Sequence, residues 1–358
     1  MSKEEEGLLK KQDYNAISNE EDAILQLRTI INKNNRGKSD DNFQNNFFAN
    51  LVKSLELGND SEVYIDLDQI NDIRYINKHF NNVYSNLTYG SSYFGVVETL
   101  SDWRKKQWMF KLPIIGWIYR IYVFLISRVT PRIWGLKKIY FLLTNGHNRI
   151  ISKAEILGRL VYCGFEIIDC KPINNKHYFI AKKTKKPLKV KPSYGPIFKM
   201  NRVGKKGKII GVYKFRTMHP YSEFIHDYII KTNGYNGKGK IKDDFRTSRW
   251  GKIMRKYWID EIPQLYNVLS GEMKLVGVRP VSQIYFDSIP AELREIRLQM
   301  KPGCIPPYVA LDLGVRKEDV LNAEAQYLRD KIRRPYINDL IYFFKAIYKI
   351  IFRGRRSA

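Results

Sequence analysis

Apolar residues change their spacing several times along this chain, and each change marks an element. Residues 1 to about 60 are polar and rich in Asn, Glu and Lys, which predicts loose helices or a disordered segment. "EVYIDLDQI" and "SSYFGVVETL" are short, β-branched and aromatic, and predict two strands. The stretch "KLPIIGWIYRIYVFLISRVTPRIWGLKKIYFLL" is then apolar from Ile114 to Ile126, interrupted by Arg120 and closed by Arg128 and Pro131. It falls short of the ~20 residues of a spanning helix, leaving a buried, a re-entrant or an interfacial helix. Its aromatic residues and arginines favour membrane contact.

Ser152, with Glu155 three residues later, opens a helical pattern that stops near Gly164. Two β-rich runs follow, separated by "KPINNK", a hairpin signal. The basic, proline-containing "KKTKKPLKVKPSYGP" (182–196) reads as a linker and domain boundary. "MNRVGKKGKIIGVYKFRTM" alternates around Gly204 and Gly207 as a second hairpin would. "NGYNGKGKIKDD" is a Gly/Lys loop without the Gly-Lys-Ser/Thr ending or preceding strand of a nucleotide P-loop. The tail carries Ile337, Leu340, Ile341, Phe344, Ile347, Tyr348 and Ile351 at helical spacing, with Lys345, Lys349 and Arg353 off that stripe. Such a helix either packs on its own domain or lies in a lipid interface, and the basic residues through Arg355 and Arg356 favour the second.

A chain of 358 residues exceeds a typical single domain. The pattern divides it into a polar segment (1–60), an α/β domain (61–185) holding the apolar segment 112–131, a second domain (186–334), and a basic amphipathic helix (335–358). Charged residues at 27% and hydrophobic ones at 44% are ordinary, but a net charge of +26 is not. It calls for a polyanionic partner: nucleic acid, an anionic membrane surface or phosphorylated substrates. No helix-turn-helix, zinc-finger or RNA-binding signature is present, so no nucleic acid is expected. Three cysteines without paired spacing point to reduced thiols in the cytoplasm, and the opening "MSKEEEGLLKKQDYN" lacks the apolar core of a secretory signal. The five histidines are scattered, with no metal-ligand spacing.

The chemistry concentrates in "KYWIDEIPQLYNVLSGEMKLVGVRP" (256–280). Adjacent Asp260 and Glu261 could simply complement a helix dipole ahead of Pro263. Their company argues otherwise: Lys214 and Arg216 in "YKFRTM", Asp244, Arg246 and Arg249 in "DDFRTSRW", Arg255 and Lys256 just before the pair, and Arg279 after it. Many cations around two carboxylates suit an acid that must work among phosphates.

"KFRTM", "D-x-R-x-S-R-W-G-K-x-x-R", "DEIPQLYNVLSGEMKLVGVRP" and "KPGC" occur in the order and spacing of the bacterial sugar transferases, the monotopic polyprenyl-phosphate phosphoglycosyl transferases, which this chain resembles over about 193–302. The resemblance implies an α-rich α+β catalytic domain with amphipathic helices on the cytoplasmic face of the bacterial inner membrane, and is compatible with a homodimer. It implies that Asp260 attacks a UDP-sugar, releasing UMP, and that the aspartyl-linked sugar phosphate passes to a polyprenyl (undecaprenyl) phosphate at the start of cell-surface glycan synthesis. Glu261 matches the acid that helps hold Mg²⁺, and Arg255 and Arg279 match phosphate-handling arginines; Lys214, Arg216 and Arg246 join them as phosphate-binding candidates. A catalytically inactive membrane scaffold is the alternative.

The chain departs from the family pattern in three places. The family's re-entrant helix, broken at Ser-Pro, normally lies directly before the catalytic region, where this chain has the basic linker. Gly-Val-Arg-Pro replaces Gly-Pro-Arg-Pro, and "CIPPYVALD" follows Gly303. In the N-terminal domain, "EILGRLVYCGFEIID…HYFIAKK" resembles the closing helix and hairpin of a methyltransferase-like α/β domain. No Gly-rich cofactor loop precedes it, which implies a degenerate, non-catalytic copy.

Overall fold

The structure, a computed structural model, describes residues 16–17, 63–133, 135–147, 149–192, 194–235, 241–314 and 316–353. The chain forms two compact units, Met1–Tyr194 with His219–Arg246, and Gly195–Met218 with Thr247–Ala358. It therefore passes between them inside the basic linker, returns for residues 219–246 and leaves again. The polar N-terminal segment lies outside the described residues except for Ala16–Ile17.

The first unit is built on a five-stranded sheet in the order β1-β2-β3-β5-β4. Its strands are β1 (Ala16–Ile17), β2 (Val63–Gln69), β3 (Ser92–Val97), β4 (Phe165–Ile173) and β5 (Lys176–Lys183), and β2 and β3 coincide with the two expected runs. β2 and β3 are parallel, while β5 runs antiparallel to both β3 and β4. The "KPINNK" turn closes β4 on β5 through Asn174 and Asn175 at φ 45° and 58°, the conformation of a type I′ hairpin. Every residue of β3 is buried, as in a strand covered on both faces. Tyr93 centres the core, its ring 5.8 Å from Phe80, 5.5 Å from Phe165 and 5.4 Å from Phe179.

The helices of this unit are α1 (Ile76–Asn86), α2 (Leu100–Lys106), α3 (Pro113–Phe124), α4 (Leu136–Thr144), α5 (Lys153–Tyr162) and α6 (His226–Asn233). Ser152 caps α5 as expected, its hydroxyl accepting from the Glu155 amide at 3.2 Å, and Gly164 stops it at φ 95°. The Glu155 carboxylate instead takes the buried Arg159 guanidinium at 2.8 Å, which lies 4.3 Å from the Tyr221 ring. Ile225 and Ile229 enter the same core, and this is why residues 219–246 belong to the first unit.

The second unit opens with the expected hairpin, β6 (Ile197–Val203) and β7 (Ile209–Phe215), turning through Lys206 and Gly207 at positive φ. Helices α7 (Arg249–Lys256) and α8 (Gln264–Leu269) flank a 3₁₀ turn at Ile259–Glu261. A two-stranded parallel pair, β8 (Lys274–Val276) and β9 (Gly303–Ile305), is surrounded by α9 (Gln283–Asp287), α10 (Ala291–Gln299), α11 (Pro307–Ala310), α12 (Lys317–Arg333) and α13 (Asn338–Phe352). Tyr308, Val309, Tyr327, Leu328 and Tyr342 form its core with Val276 and Val278. An α/β first unit and an α-rich α+β second unit are thus what the chain adopts. Among the described residues, no helix is long and apolar enough to cross a membrane.

The tail helix packs in an unusual sense. α13 buries Asn338, Tyr342 and Ala346, whereas Leu340, Phe344, Tyr348 and Ile351 are exposed. Most of its large apolar stripe therefore faces away from the core.

Candidate functional site

The site grows from the turn between α7 and α8. Trp258 adopts the left-handed conformation (φ 60°), which breaks the helical path and lets Ile259–Glu261 form its own 3₁₀ turn. Asp260 is only 6% exposed, and its Oδ1 is buried without a hydrogen-bond partner. Burial, followed by neighbouring Glu261, raises the Asp260 carboxyl above the usual range, while Lys214 and Arg255 pull the other way. A carboxylate so placed is poorly solvated and close to cations. Glu261 is held from both sides: its Oε1 accepts from Lys214 Nζ at 2.7 Å and its Oε2 from Gln264 Nε2 at 2.9 Å.

Thr217, just past β7, fixes the other wall. Its carbonyl accepts from the Ser248 amide at 3.0 Å and the Ser248 hydroxyl at 3.1 Å, and its hydroxyl accepts from Arg255 Nε at 3.0 Å. One residue thereby anchors both ends of α7 and orients Arg255. Between them, a Cβ on Gly251 would sit 2.0 Å from the Thr217 carbonyl oxygen, which explains the Gly of "SRWG". Gly251→Ala is expected to destabilise the second unit by about 1–3 kcal/mol, through forced separation of α7 from the Thr217 backbone. Chemical denaturation would measure it, and an unchanged midpoint would contradict the packing.

The family model for bacterial sugar transferases matches residues 187–353. Residues 187–353 are a bacterial sugar transferase domain. Similar proteins include the galactosyl transferase CpsE of Streptococcus agalactiae, 43% identical over 111 residues, which are 30% of this chain and 24% of that protein. The UDP-N-acetylgalactosamine-undecaprenyl-phosphate N-acetylgalactosaminephosphotransferase of Aeromonas hydrophila is 40% identical over 102 residues, 28% of this chain and 22% of its own. The undecaprenyl-phosphate galactose phosphotransferase of Salmonella typhimurium is 40% identical over 126 residues, 32% and 25% respectively. The chain spans about a quarter of the length of these relatives.

Within the sugar transferase domain, the motif residues divide into chemical and structural groups. Asn267 is fully buried; its Oδ1 accepts from the Tyr213 amide, and its Nδ2 donates to the Gly211 carbonyl and to Glu272. The Asn of "QLYNVLSGEM", held by the Glu of the same string, therefore staples α8 to β7. Gly277 and Gly303 let β8 and β9 meet, since a Cβ on Gly303 would lie 2.1 Å from the Gly277 nitrogen. Burial pushes the Cys304 thiol up to about 12, so it stays protonated at neutral pH.

The remaining candidate cations do not all converge. Lys214 and Arg255 act on Asp260, as above. Arg216 donates from Nε to the Gly195 carbonyl at 2.7 Å and lies over the Phe198 ring. Arg246 belongs to the first unit, where all three guanidinium nitrogens have partners in Asp244 and His226. The loop bearing Arg279 is gripped by a buried ion pair: the Arg279 amide donates to Glu324, its carbonyl accepts from Arg297 Nη2 at 2.7 Å, and Arg297 and Glu324 bind each other. Sequence reasoning missed Arg297 and Glu324 because neither lies in a motif. It also missed Arg202, which the Val203–Val281 backbone bond brings beside Arg279; burial, then that neighbour, lowers its pKa. Its place in the "MNRVGKKGK" hairpin gave no hint of this.

Proposed function

We propose that this chain transfers a sugar-1-phosphate from a UDP-sugar to a polyprenyl phosphate, with Asp260 as the nucleophile. The observation that carries the reading is the buried, unpartnered Asp260 Oδ1 beside Glu261, with Lys214 and Arg255 close by. Asp260 attacks the β-phosphorus, the bond from that phosphorus to the bridging oxygen breaks, and UMP leaves with the electron pair. The resulting acyl phosphate carries the sugar. A phosphate oxygen of the polyprenyl acceptor then attacks the same phosphorus, releasing the carboxylate and forming polyprenyl-diphosphate-sugar. Covalent catalysis lets two dissimilar substrates use one site in turn.

Electrostatics explains the cations. A carboxylate 4 Å from a phosphate charge meets about 4 kcal/mol of repulsion at an effective dielectric near 20. Lys214 and Arg255 offset part of it, and Arg279 is proposed to bind phosphate oxygens in bidentate fashion. Among the described residues no cluster of three or more His, Cys, Asp or Glu could hold a metal. The Glu261 carboxylate beside the buried, unpartnered Asp260 Oδ1 fits Mg²⁺, which commonly binds through one or two carboxylates plus substrate phosphates. Glu261 would help hold it, and it would neutralise charge on the donor's phosphates.

Asp260 must be ionised to attack, so activity falls as pH drops through its raised pKa. Lys214→Met removes a cation that favours ionisation, and the acidic limb of kcat/KM for UMP release is expected to move to higher pH. A limb unchanged in Lys214→Met would mean that Lys214 does not act on the nucleophile. The reading as a whole is tested by intact-mass measurement with a UDP-sugar panel, metal present and lipid absent. An added sugar-phosphate mass on the wild-type chain supports it, and its absence with every donor while UMP is still released rejects the covalent route.

The outward stripe of α13 supports a peripheral or monotopic placement on the cytoplasmic face of the inner membrane, where the polyprenyl acceptor resides. For the first unit we propose a degenerate methyltransferase-like domain. Helix α5 followed by a β4–β5 hairpin that inserts β5 beside β3 supports this reading.

A further inference from the structure

The first unit holds a cavity of about 310 Å³, at the small end of the range for small-molecule sites. Gln69, Glu98, Trp103, Lys106, Gln107 and Arg149 line it. Gln69 ends β2 and Glu98 directly follows β3, and these two strands are parallel, so the cavity lies at their shared carboxyl end. Arg149 arrives on a third segment, whose Ile151 bridges Thr99 in the same direction. Open α/β sheets take ligands at this end, where the connections leaving adjacent strands part and leave a crevice.

Asn71, only 4% exposed, builds the floor. Its Oδ1 accepts from the Glu98 amide at 2.8 Å and from Gln69 Nε2 at 3.1 Å. Its Nδ2 donates to the Glu98 carbonyl at 2.8 Å and to the Arg149 carbonyl at 2.6 Å. All four hydrogen-bonding positions of one buried amide thus fix three of the lining residues. Trp103 is held as a wall by the rings of Phe110 and Tyr119, at 5.8 and 6.5 Å.

What this frame holds in place is a set of polar groups with capacity to spare. Glu98 Oε1 pairs with Lys106 Nζ at 2.5 Å, and among the described residues its Oε2 has no hydrogen bond. The Gln107 side-chain amide has none either. Arg149 donates from Nη1 to the Arg74 carbonyl at 3.3 Å and meets no carboxylate among the described residues. Glu98 and Lys106 cancel, so the cavity keeps one surplus positive charge on a guanidinium, the group whose fork suits phosphate. A carboxylate oxygen only accepts, which calls for hydroxyls on the ligand, and an indole takes a flat or CH-rich face.

We propose that this cavity binds a hydroxylated phosphate monoester of the size of a nucleoside monophosphate or a hexose phosphate. Arg149 takes the phosphate, Glu98 the hydroxyls, and Trp103 the ring. The first unit then has a binding role of its own, independent of the Asp260 chemistry.

Equilibrium dialysis of the full chain with AMP and with glucose 1-phosphate tests this, with adenosine and glucose as uncharged counterparts. At least one ester is expected to bind saturably with a Kd below about 1 mM, about tenfold or more tighter than its counterpart. Binding of AMP alone assigns the site to nucleotides, and of glucose 1-phosphate alone to sugar phosphates. Arg149→Met should weaken the bound ester about tenfold or more and leave the uncharged counterpart unaffected. Gln107→Trp, which fills part of the cavity, should abolish binding of both. Unfolding midpoints equal to wild type would show that the fold is kept. UMP release is a separate measurement, so its failure would reject the catalytic reading without touching this one. Absence of saturable binding by either ester would overturn the proposal, as would equal affinity for the uncharged counterparts or wild-type affinity in both variants. Ester binding lost in Arg279→Met and kept in both cavity variants would place the ligand in the sugar transferase domain and likewise overturn it.

Discussion

Asp260→Asn is expected to abolish turnover, lowering UMP release by on the order of 10⁴-fold or more, the scale on which loss of a covalent nucleophile acts. The substitution is close to isosteric, so the fold should survive it. The buried Oδ1 has no hydrogen bond to lose, and removing a buried, poorly solvated charge is favourable for stability. The expected pattern is therefore an unfolding midpoint equal to or above wild type, an absent covalent adduct and retained donor binding. Glu261→Gln provides the contrast. It weakens the tie to Lys214 and should depress turnover while still permitting the adduct to form. An Asp260→Asn protein that still releases UMP at near wild-type rate, with lipid acceptor present, would require a different nucleophile and remove the basis of the mechanism.

Arg297→Met is expected to be the most destabilising change in the second unit, by about 3–5 kcal/mol, because it strands the Glu324 carboxylate in the core. Burial already raises the Glu324 carboxyl, and Arg297 is the principal opposing influence. Without the guanidinium, the folded-state pKa rises further above the unfolded value. The folded chain then binds more protons than the unfolded one, so stability falls as pH rises from the usual carboxylate range through the raised pKa. Urea denaturation should show a larger deficit at pH 8 than at pH 5. Adding Glu324→Leu should recover much of the loss, since replacing both partners with apolar groups avoids the stranded charge. Catalysis would still suffer in the double variant, because Arg279 loses contacts to both its amide and its carbonyl. A deficit below 1 kcal/mol that does not vary with pH would show that the pair is not buried in solution.

Much of the local structure was legible because its causes are local. Asn-Asn in "KPINNK" tolerates positive φ and turns a hairpin, and Ser152 and Gly164 bound a helix through the backbone groups at its ends. The Asp-Glu pair could be singled out for the same reason, since its chemistry lies in adjacent side chains. Other readings depended on packing. Arg246 stands in a motif beside Ser248 and Arg249, yet its guanidinium is tied to Asp244 and His226 in the other unit. The stripe on α13 was visible as a period, but which face meets the core was settled by the buried Tyr342 and Ala346.

The sequence alone determined the elements, the acidic pair and the excess of positive charge, because propensity, turn chemistry and net charge act over a few residues or over the whole composition. Only the tertiary structure decided which motif residues remain available for chemistry. Asn267 is consumed by contacts with β7, Glu272 by holding Asn267 and Gly251 by the close approach of Thr217, and Arg297 and Glu324 acquire a role solely through being buried together. Burial converts an ordinary surface charge into one that must be paired, and that transformation depends on neighbours far away along the chain.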